Sequence, residues 1–158
     1  MATPANYSET ELNTLRQAVI MSGHAVVFCE FTVISMGIEI AALGKEITGA
    51  AQNYPDSVLI QKLFANYTET PEDSAKQDPP TDITSEKILE SAKELIRKAL
   101  AILSEKASPE EIQEYKQFIY TCADRVANAA GEGLFGTGEK VSKKEAATLR
   151  ELKATLGL

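Results

Sequence analysis

The chain has 158 residues, of which 44% are hydrophobic, 23 are acidic and 16 are basic, so its net charge is −7. A chain of this length can bury a core in a single domain, and its many Ala, Leu, Ile, Glu and Lys residues favour helices over strands. The acidic balance argues against a nucleic-acid-binding face and against electrostatic docking on an anionic membrane.

The first residues, MATPANYSETEL, lack the basic stretch that opens a secretory signal. Cys29 and Cys122 form no C-x-x-C motif, and two cysteines in a chain of this size do not make a disulfide framework. We therefore expect a cytoplasmic protein, with both cysteines as core residues.

Three S-x-x-E motifs predict helix starts, at Ser8, Ser108 and Ser142. In such a capping box the serine hydroxyl accepts a hydrogen bond from the third amide of the helix, while the glutamate accepts one from the serine amide. With the hydrophobic periodicity, these starts predict helices over 9–21, 24–36, 38–53, 57–66, 85–106, 109–129 and 143–156. The expected fold is all-α, a compact single-domain bundle of about seven helices over residues 1–158.

Residues 25–44 (AVVFCEFTVISMGIEIAALG) have the length of a membrane span, about 20 residues. Glu30 and Glu39 fall inside this stretch, and a charged group within a bilayer costs several kcal/mol. Buried helices of a bundle fit better than membrane insertion.

Two later segments have helical apolar seams. The seam of the sixth predicted helix runs along Ile112, Tyr115, Ile119, Cys122, Val126 and Ala129. The fifth predicted helix places seven apolar residues on one face: Ile88, Leu89, Ala92, Leu95, Ile96, Ala99 and Leu103. Residues 67–84 precede it with three prolines, five acids and almost no apolar residue, which predicts an internal loop.

The stretch GEGLFG, residues 131–136, matches the glycine pattern of dinucleotide-binding proteins. That pattern has meaning between a strand and a helix, and here it follows a long predicted helix. Glu139 stands where a phosphate loop needs lysine. We expect a helix-helix connector that binds no nucleotide, with Gly131 ending the sixth helix in a left-handed cap.

No catalytic motif is visible. His24 is the only histidine, which excludes a multi-histidine zinc site and a di-iron bundle built from two E-x-x-H motifs. Since it follows Gly23 at a predicted helix junction, we interpret it as a cap or a satisfied polar group.

Glutamates are the remaining candidate ligands. Glu39 and Glu46 lie seven residues apart on one predicted helix face and, with Glu30, in the most apolar part of the chain. Their expected partners are Lys45, another helix or a cation, and an ion pair or a solvated stripe is the simpler interpretation. If a cation binds, its ligands are oxygens, so calcium or magnesium is expected to bind weakly at some of Glu39, Glu46, Glu132 and Glu139.

Several residues together resemble tellurite-resistance TerB-like domains, whose closing pattern runs from vA-x-ADG through v-s-x-x-E to LGL. The matching positions are Val126-Ala127, Ala130-Gly131, Val141-Ser142, Glu145, Leu149 and Leu156-Gly157-Leu158. Residues 37–64 are similar to the middle of the longer bacterial members. The resemblance covers about residues 17–66 and 109–158 and leaves the proline-rich segment outside.

The resemblance implies a cytoplasmic, non-catalytic helical domain associated with tellurite and general stress resistance. It also implies acidic residues that bind a divalent cation, and membrane-bound or other stress-operon proteins as partners. The chain departs from the family where Ala129-Ala130-Gly131 replaces ADG, so a cation role of that aspartate would have to pass to Glu132 or Glu139. The alternative hypothesis is a small-ligand-binding or enzymatic helical protein with a buried carboxylate site near Glu30, Glu39 and Glu46.

Overall fold

A computed structural model describes residues 6–29, 33–65, 84–133 and 143–158, with side chains at all of these except 33–38 and 130–133. The described chain is helical and contains no strand. Its six helices are α1 (Glu9–Val27), α2 (Val33–Asn53), α3 (Val58–Phe64), α4 (Ser85–Lys106), α5 (Pro109–Gly133) and α6 (Lys143–Leu156). The all-α prediction is confirmed.

Helix α1 lies at the centre of the bundle and packs mainly against α4 and α5. Tyr115 of α5 is fully buried, and its hydroxyl donates a 2.8 Å hydrogen bond to the carbonyl oxygen of Leu15 in α1. Helix α2 covers the other side of α5, and α6 packs on α4 and α5. The predicted seam of α4 is confirmed, since its members are buried or half-buried.

Two of the three predicted capping boxes are confirmed. The Ser8 hydroxyl accepts from the Glu11 amide at 3.2 Å, and the Glu11 carboxylate accepts from the Ser8 amide at 2.8 Å. Ser108 and Glu111 make the same pair of bonds, at 3.2 and 2.9 Å. The third box begins at Ser142, which lies outside the described residues.

Replacing Ser108 with alanine is expected to lower the free energy of unfolding by about 0.5–2 kcal/mol, because the Glu111 amide loses its acceptor. Urea denaturation measures the change. Ser91→Ala is the matched control, since Ser91 is exposed within α4 and alanine is the better helix former there. Equal stability of the Ser108 variant and the wild type would contradict the assigned start of α5.

The predicted division of residues 9–53 into three helices, 9–21, 24–36 and 38–53, is wrong. Helix α1 continues through Gly23 and His24 to Val27, and α2 begins at Val33 and runs without a break to Asn53. A Cβ atom built on Gly23 would lie 2.4 Å from Cδ1 of Leu43, so this glycine allows α1 and α2 to approach closely. Fusing these segments reduces the predicted seven helices to six within the described part of the chain.

The predicted end of the sixth helix at Gly131 is also wrong, because α5 continues to Gly133. The left-handed glycine cap is found instead at Gly157, where φ is 71°. The amide of Leu158 donates to the carbonyl oxygen of Lys153, and that of Gly157 to Ala154, both at 3.1 Å. This pair of bonds is a Schellman motif, which gives the Leu-Gly-Leu sequence a direct structural role.

None of the helices in the described ranges combines the length and the apolar character needed to cross a bilayer. The predicted loop over 67–84 lies outside the described residues, apart from Thr84. That residue caps α4, because its hydroxyl accepts from the Lys87 amide at 3.2 Å.

Candidate functional site

Two of the four candidate glutamates, Glu39 and Glu46, lie on helix α2, and they differ in their surroundings. Glu39 is only 2% exposed and lies in a buried row with Leu43, Ile47 and Ala50. Its carboxylate takes part in an interaction, although Oε2 receives no hydrogen bond from the described residues. A carboxylate at a position that the helical period assigns to the core is the most unusual feature of this helix.

Glu46 forms an ion pair between two helices. Its Oε2 accepts a 2.8 Å hydrogen bond from Nη1 of Arg125 in α5, while Lys45 is exposed on the other side. The interpretation of Glu46 as one half of an ion pair is thus supported, with another helix supplying the cation. The sequence did not single out Arg125, because only the packing of α2 on α5 brings it beside Glu46.

The contacts between α2 and α5 define an antiparallel register. Arg125 pairs with Glu46, and beyond the end of α2 the ring of Tyr54 meets that of Phe118 at a centroid distance of 5.2 Å. Seven residues in the opposite direction, about 10.5 Å along each axis, the register leads to Glu39 on α2 and Glu132 on α5. From this register we expect these two positions at the same level of the bundle.

The register divides the four candidate ligands. Glu39 and Glu132 are expected at one level, whereas Glu46 lies two turns away from Glu39 and is paired with Arg125. The Glu132 side chain and all of Glu139 lie outside the described part. Among described residues, no group of three or more His, Cys, Asp or Glu is placed to hold a metal ion. Cation binding stays a prediction.

The fold separates the two cysteines by burial. Cys122 is 1% exposed in the seam of α5, which confirms the prediction that it belongs to the core. Burial raises the pKa of this thiol far above its usual range, so it stays protonated. Cys29 is half-buried, just beyond the end of α1, and is not a full core residue.

His24 is not a cap at a helix junction, since it lies in the last turn of the continuous α1. Its ring makes an edge-to-face contact with Phe28, at a centroid distance of 5.9 Å. Burial lowers the pKa of His24, because the imidazolium form loses hydration.

We expect His24 to make stability depend on pH below neutrality. Because its folded-state pKa lies below the unfolded value of about 6.5, the unfolded chain binds more protons in this range. The contribution of His24 is full above pH ~6.5 and is lost as the pH falls through the folded pKa. Urea denaturation at pH 7.5, 6.5 and 5.5 should show falling stability for the wild type and a smaller fall for His24→Gln. Equal slopes would show that His24 does not cause the change.

The glycine stretch has a helical setting. Residues 131–133 form the last turn of α5, and 134–142 lie outside the described residues. Within the described chain no strand leads into this turn, so the context of a dinucleotide-binding loop is absent there. A shallow, open groove occurs at the other end of α5, lined by Pro109, Glu110, Gln113, Glu114 and Gln117.

Comparisons of the chain with protein-family models, with curated proteins and with solved structures found no match. The relation to TerB-like domains therefore rests on the residues of the chain itself, and it remains a hypothesis about family and function.

Proposed function

We propose that this chain is a TerB-like helical module that acts in tellurite and stress resistance by binding protein partners and has no catalytic activity of its own. The supporting observation is the place of the family-like residues in the fold. Val126 and Ala127 of α5 and Leu149 and Leu156 of α6 are all buried. These four residues of the resemblance thus belong to the core.

The partner class follows from charge and from the resemblance. A chain of net charge −7 favours basic protein surfaces as partners, because opposite charges increase the rate of association and same-sign partners are repelled. The resemblance adds that the partners are membrane-bound or other stress-operon proteins.

A growth assay tests the proposed role. The gene for the chain is deleted from its native host, and growth is followed over a range of tellurite concentrations. We expect the deletion to lower the tolerated concentration and the wild-type chain to restore it, with cross-linking and mass spectrometry identifying the bound partner. Equal growth of the deletion strain and its parent would contradict the proposed role.

We propose a weak divalent-cation site as the second part of this function, at the level of Glu39 and Glu132. The register of α2 and α5 supports this choice over Glu46, whose carboxylate is paired with Arg125. Oxygen ligands favour calcium or magnesium, with affinities of the order of 10⁻⁴ to 10⁻³ M for a site with few carboxylates.

Millimolar calcium or magnesium is expected to raise the thermal midpoint. An ion that binds only the native state at several times its dissociation constant stabilises by roughly 1–2 kcal/mol. Glu39→Gln and Glu132→Gln should each remove the shift, whereas Glu46→Gln, the matched control, should keep it. Sodium chloride at equal ionic strength separates binding from screening. No shift with either ion, or a shift that survives both substitutions, would rule out this site.

The alternative is a ligand-binding or enzymatic protein with a buried carboxylate site, and the deep burial of Glu39 favours it. Buried carboxylates are frequent at active sites. The Glu39→Gln and Glu132→Gln variants together separate the two functions in the tellurite assay. The proposed module should behave alike in both variants, since each removes the same cation, whereas a buried carboxylate site should lose activity only with Glu39→Gln.

A further inference from the structure

The residues that precede α1 are attached to the ends of two other helices. Lys106, the last residue of α4, donates from Nζ to the carbonyl oxygen of Asn6 at 3.1 Å and to Oε2 of Glu11 at 2.7 Å. The same Nζ lies 5.6 Å from the centroid of the Tyr7 ring. The ammonium group of Lys106 thus contacts the backbone of Asn6, the ring of Tyr7 and the carboxylate of Glu11.

A second lysine approaches the same ring from another helix. Nζ of Lys62 in α3 also lies 5.6 Å from the Tyr7 centroid. The ring is half-buried and packs against the core, so it combines apolar contact with two cation–π contacts. Burial, and then the charges of Glu111 and Glu11, raise the pKa of Tyr7, which keeps its hydroxyl neutral.

The attachment is built from contacts that are individually weak. The side chains of Lys106 and Glu11 are 30% and 26% exposed, so water and salt screen their ion pair. A cation–π contact at an exposed site shifts an equilibrium by roughly two- to fivefold. The closed position of the segment is therefore favoured by a limited factor, and a competing ligand can displace it.

We propose that residues 6–11, the segment before α1 together with its first turn, form an autoinhibitory strap. It covers a seat, which we define as the surface of α3 and α4 marked by Lys62 and Lys106 and occupied by the Tyr7 ring. Once the strap leaves, the seat binds a protein partner through an aromatic side chain followed, one helical turn later, by a carboxylate. This inference rests on the proposed partner-binding function and specifies the partner's chemistry.

The chemistry of the occupant follows from what fills the seat in the closed state. Tyr7 supplies the ring, and Glu11, four residues later, supplies the carboxylate bound by Lys106. A partner with the same spacing would offer the two lysines the same complementary charge. The tethered strap competes through its high effective concentration, so the wild-type chain should bind such a partner weakly until the strap is displaced.

Hydrogen exchange tests the strap in the full chain. In Tyr7→Ala, the amides of Ser8 and Glu11 should exchange roughly tenfold faster, because the ring contacts that hold the strap closed are lost. Tyr7→Phe is the matched control and should stay within about twofold of the wild type, since phenylalanine keeps the ring. Amides of α6 report any global loosening. Unchanged exchange in Tyr7→Ala would overturn the strap.

A peptide tests the seat. The probe is the labelled, end-blocked peptide NYSETEL, residues 6–12 of the chain, and its binding is measured by fluorescence anisotropy. The chain with Tyr7→Ala and Glu11→Gln should bind it at least ~10-fold more tightly than the wild type, because neither the ring nor the carboxylate of the strap then occupies the seat. The control peptide NASETEL, which lacks the ring, should bind neither chain. Adding Lys62→Met and Lys106→Met to the open chain should abolish binding of NYSETEL, because methionine keeps the apolar stem of lysine without its charge. Equal binding to both chains, or binding that survives loss of the lysines, would overturn the proposal.

Thermal melts establish that each variant is folded. If Tyr7→Ala does not fold, Lys106→Met replaces it in the hydrogen-exchange test, where loss of the Lys106 contacts should also speed exchange at Ser8 and Glu11, and Tyr7→Leu with Glu11→Gln replaces it in the peptide test. The two levels of inference fail separately. If a stress-operon partner is cross-linked equally by wild type and Tyr7→Ala, the strap is wrong and the proposed function stands. If the peptide binds as expected but deletion of the gene leaves tellurite tolerance unchanged, the seat is right and the proposed function is wrong.

Discussion

Replacing Tyr115 with alanine is expected to lower the free energy of unfolding by about 3–5 kcal/mol, the usual loss when a large buried aromatic is truncated. Tyr115 is fully buried where α5 meets α1, and its hydroxyl donates to the carbonyl oxygen of Leu15 at 2.8 Å. The variant loses the ring contacts, a buried hydrogen bond and the filling of the volume between two central helices. Against a typical total stability of about 5–15 kcal/mol, this is a large share.

Tyr115→Phe separates the contribution of the ring from that of the hydroxyl. It keeps the ring and removes only the hydroxyl, so we expect a loss of about 0.5–1.5 kcal/mol, the net value of one hydrogen bond. Urea denaturation of the wild type and both variants, with a common m-value, gives the comparison. An alanine variant that loses no more than the phenylalanine variant would mean that the ring is not a core element.

Gly23→Ala is expected to destabilise the protein by about 1–3 kcal/mol, although alanine is the better helix former. The added Cβ would lie 2.4 Å and 2.7 Å from the two methyl carbons of Leu43 and 3.0 Å from its Cγ. Leu43 is 3% exposed, so the whole side chain must move within a packed core. The overpacking exceeds the gain in helix propensity, which is up to about 1 kcal/mol.

Gly49→Ala is the matched control and should have the opposite sign. Gly49 is a partly exposed interior residue of α2, and the nearest atom to its added Cβ is Nδ2 of Asn53 at an ordinary 3.4 Å. We expect a gain of about 0.5–1 kcal/mol from helix propensity alone. Thermal and urea unfolding measure both variants. Stabilisation by both substitutions would show that α1 and α2 do not approach closely at Gly23.

The first residues of the capped helices were predicted correctly because capping is local. Ser8 and Ser108 each bond to residues three positions later, so the sequence contains both partners of every bond. The ranges of α4 and α6 agree with those predicted from periodicity and capping. The Glu94–Lys98 ion pair, at 2.9 Å, is local in the same sense.

The predicted helix end at Gly23 is wrong because what requires a glycine at this position is a contact with a residue distant in the chain. In an isolated segment, a glycine before a polar residue indicates a helix end. At position 23, however, there is no room for a side chain, because Leu43, twenty residues away, occupies the space. Tertiary packing overrode the local signal at Gly23. The predicted end at Gly131 is wrong as well, since α5 continues to Gly133.

The candidate site shows the same division. Composition identified glutamate oxygens as the available ligands, and the helical period placed Glu39 and Glu46 on one face. Neither shows that Arg125 would take Glu46 as its partner, nor that Glu39 would share a level with Glu132. Those relations depend on the antiparallel register of α2 and α5, which side chains far apart in the chain establish by packing.

By itself, the sequence determined the helical class, the capped starts at Ser8 and Ser108 and the core seam of α4, because each depends on residues within one or two helical turns. The tertiary structure alone decided that α1 passes through Gly23, that Glu39 is buried while Glu46 is paired, and that Tyr7 lies between Lys62 and Lys106. The physical reason is separation along the chain. Burial, ion pairing and cation–π contact act over a few ångströms in space, and only the packed bundle brings those groups together.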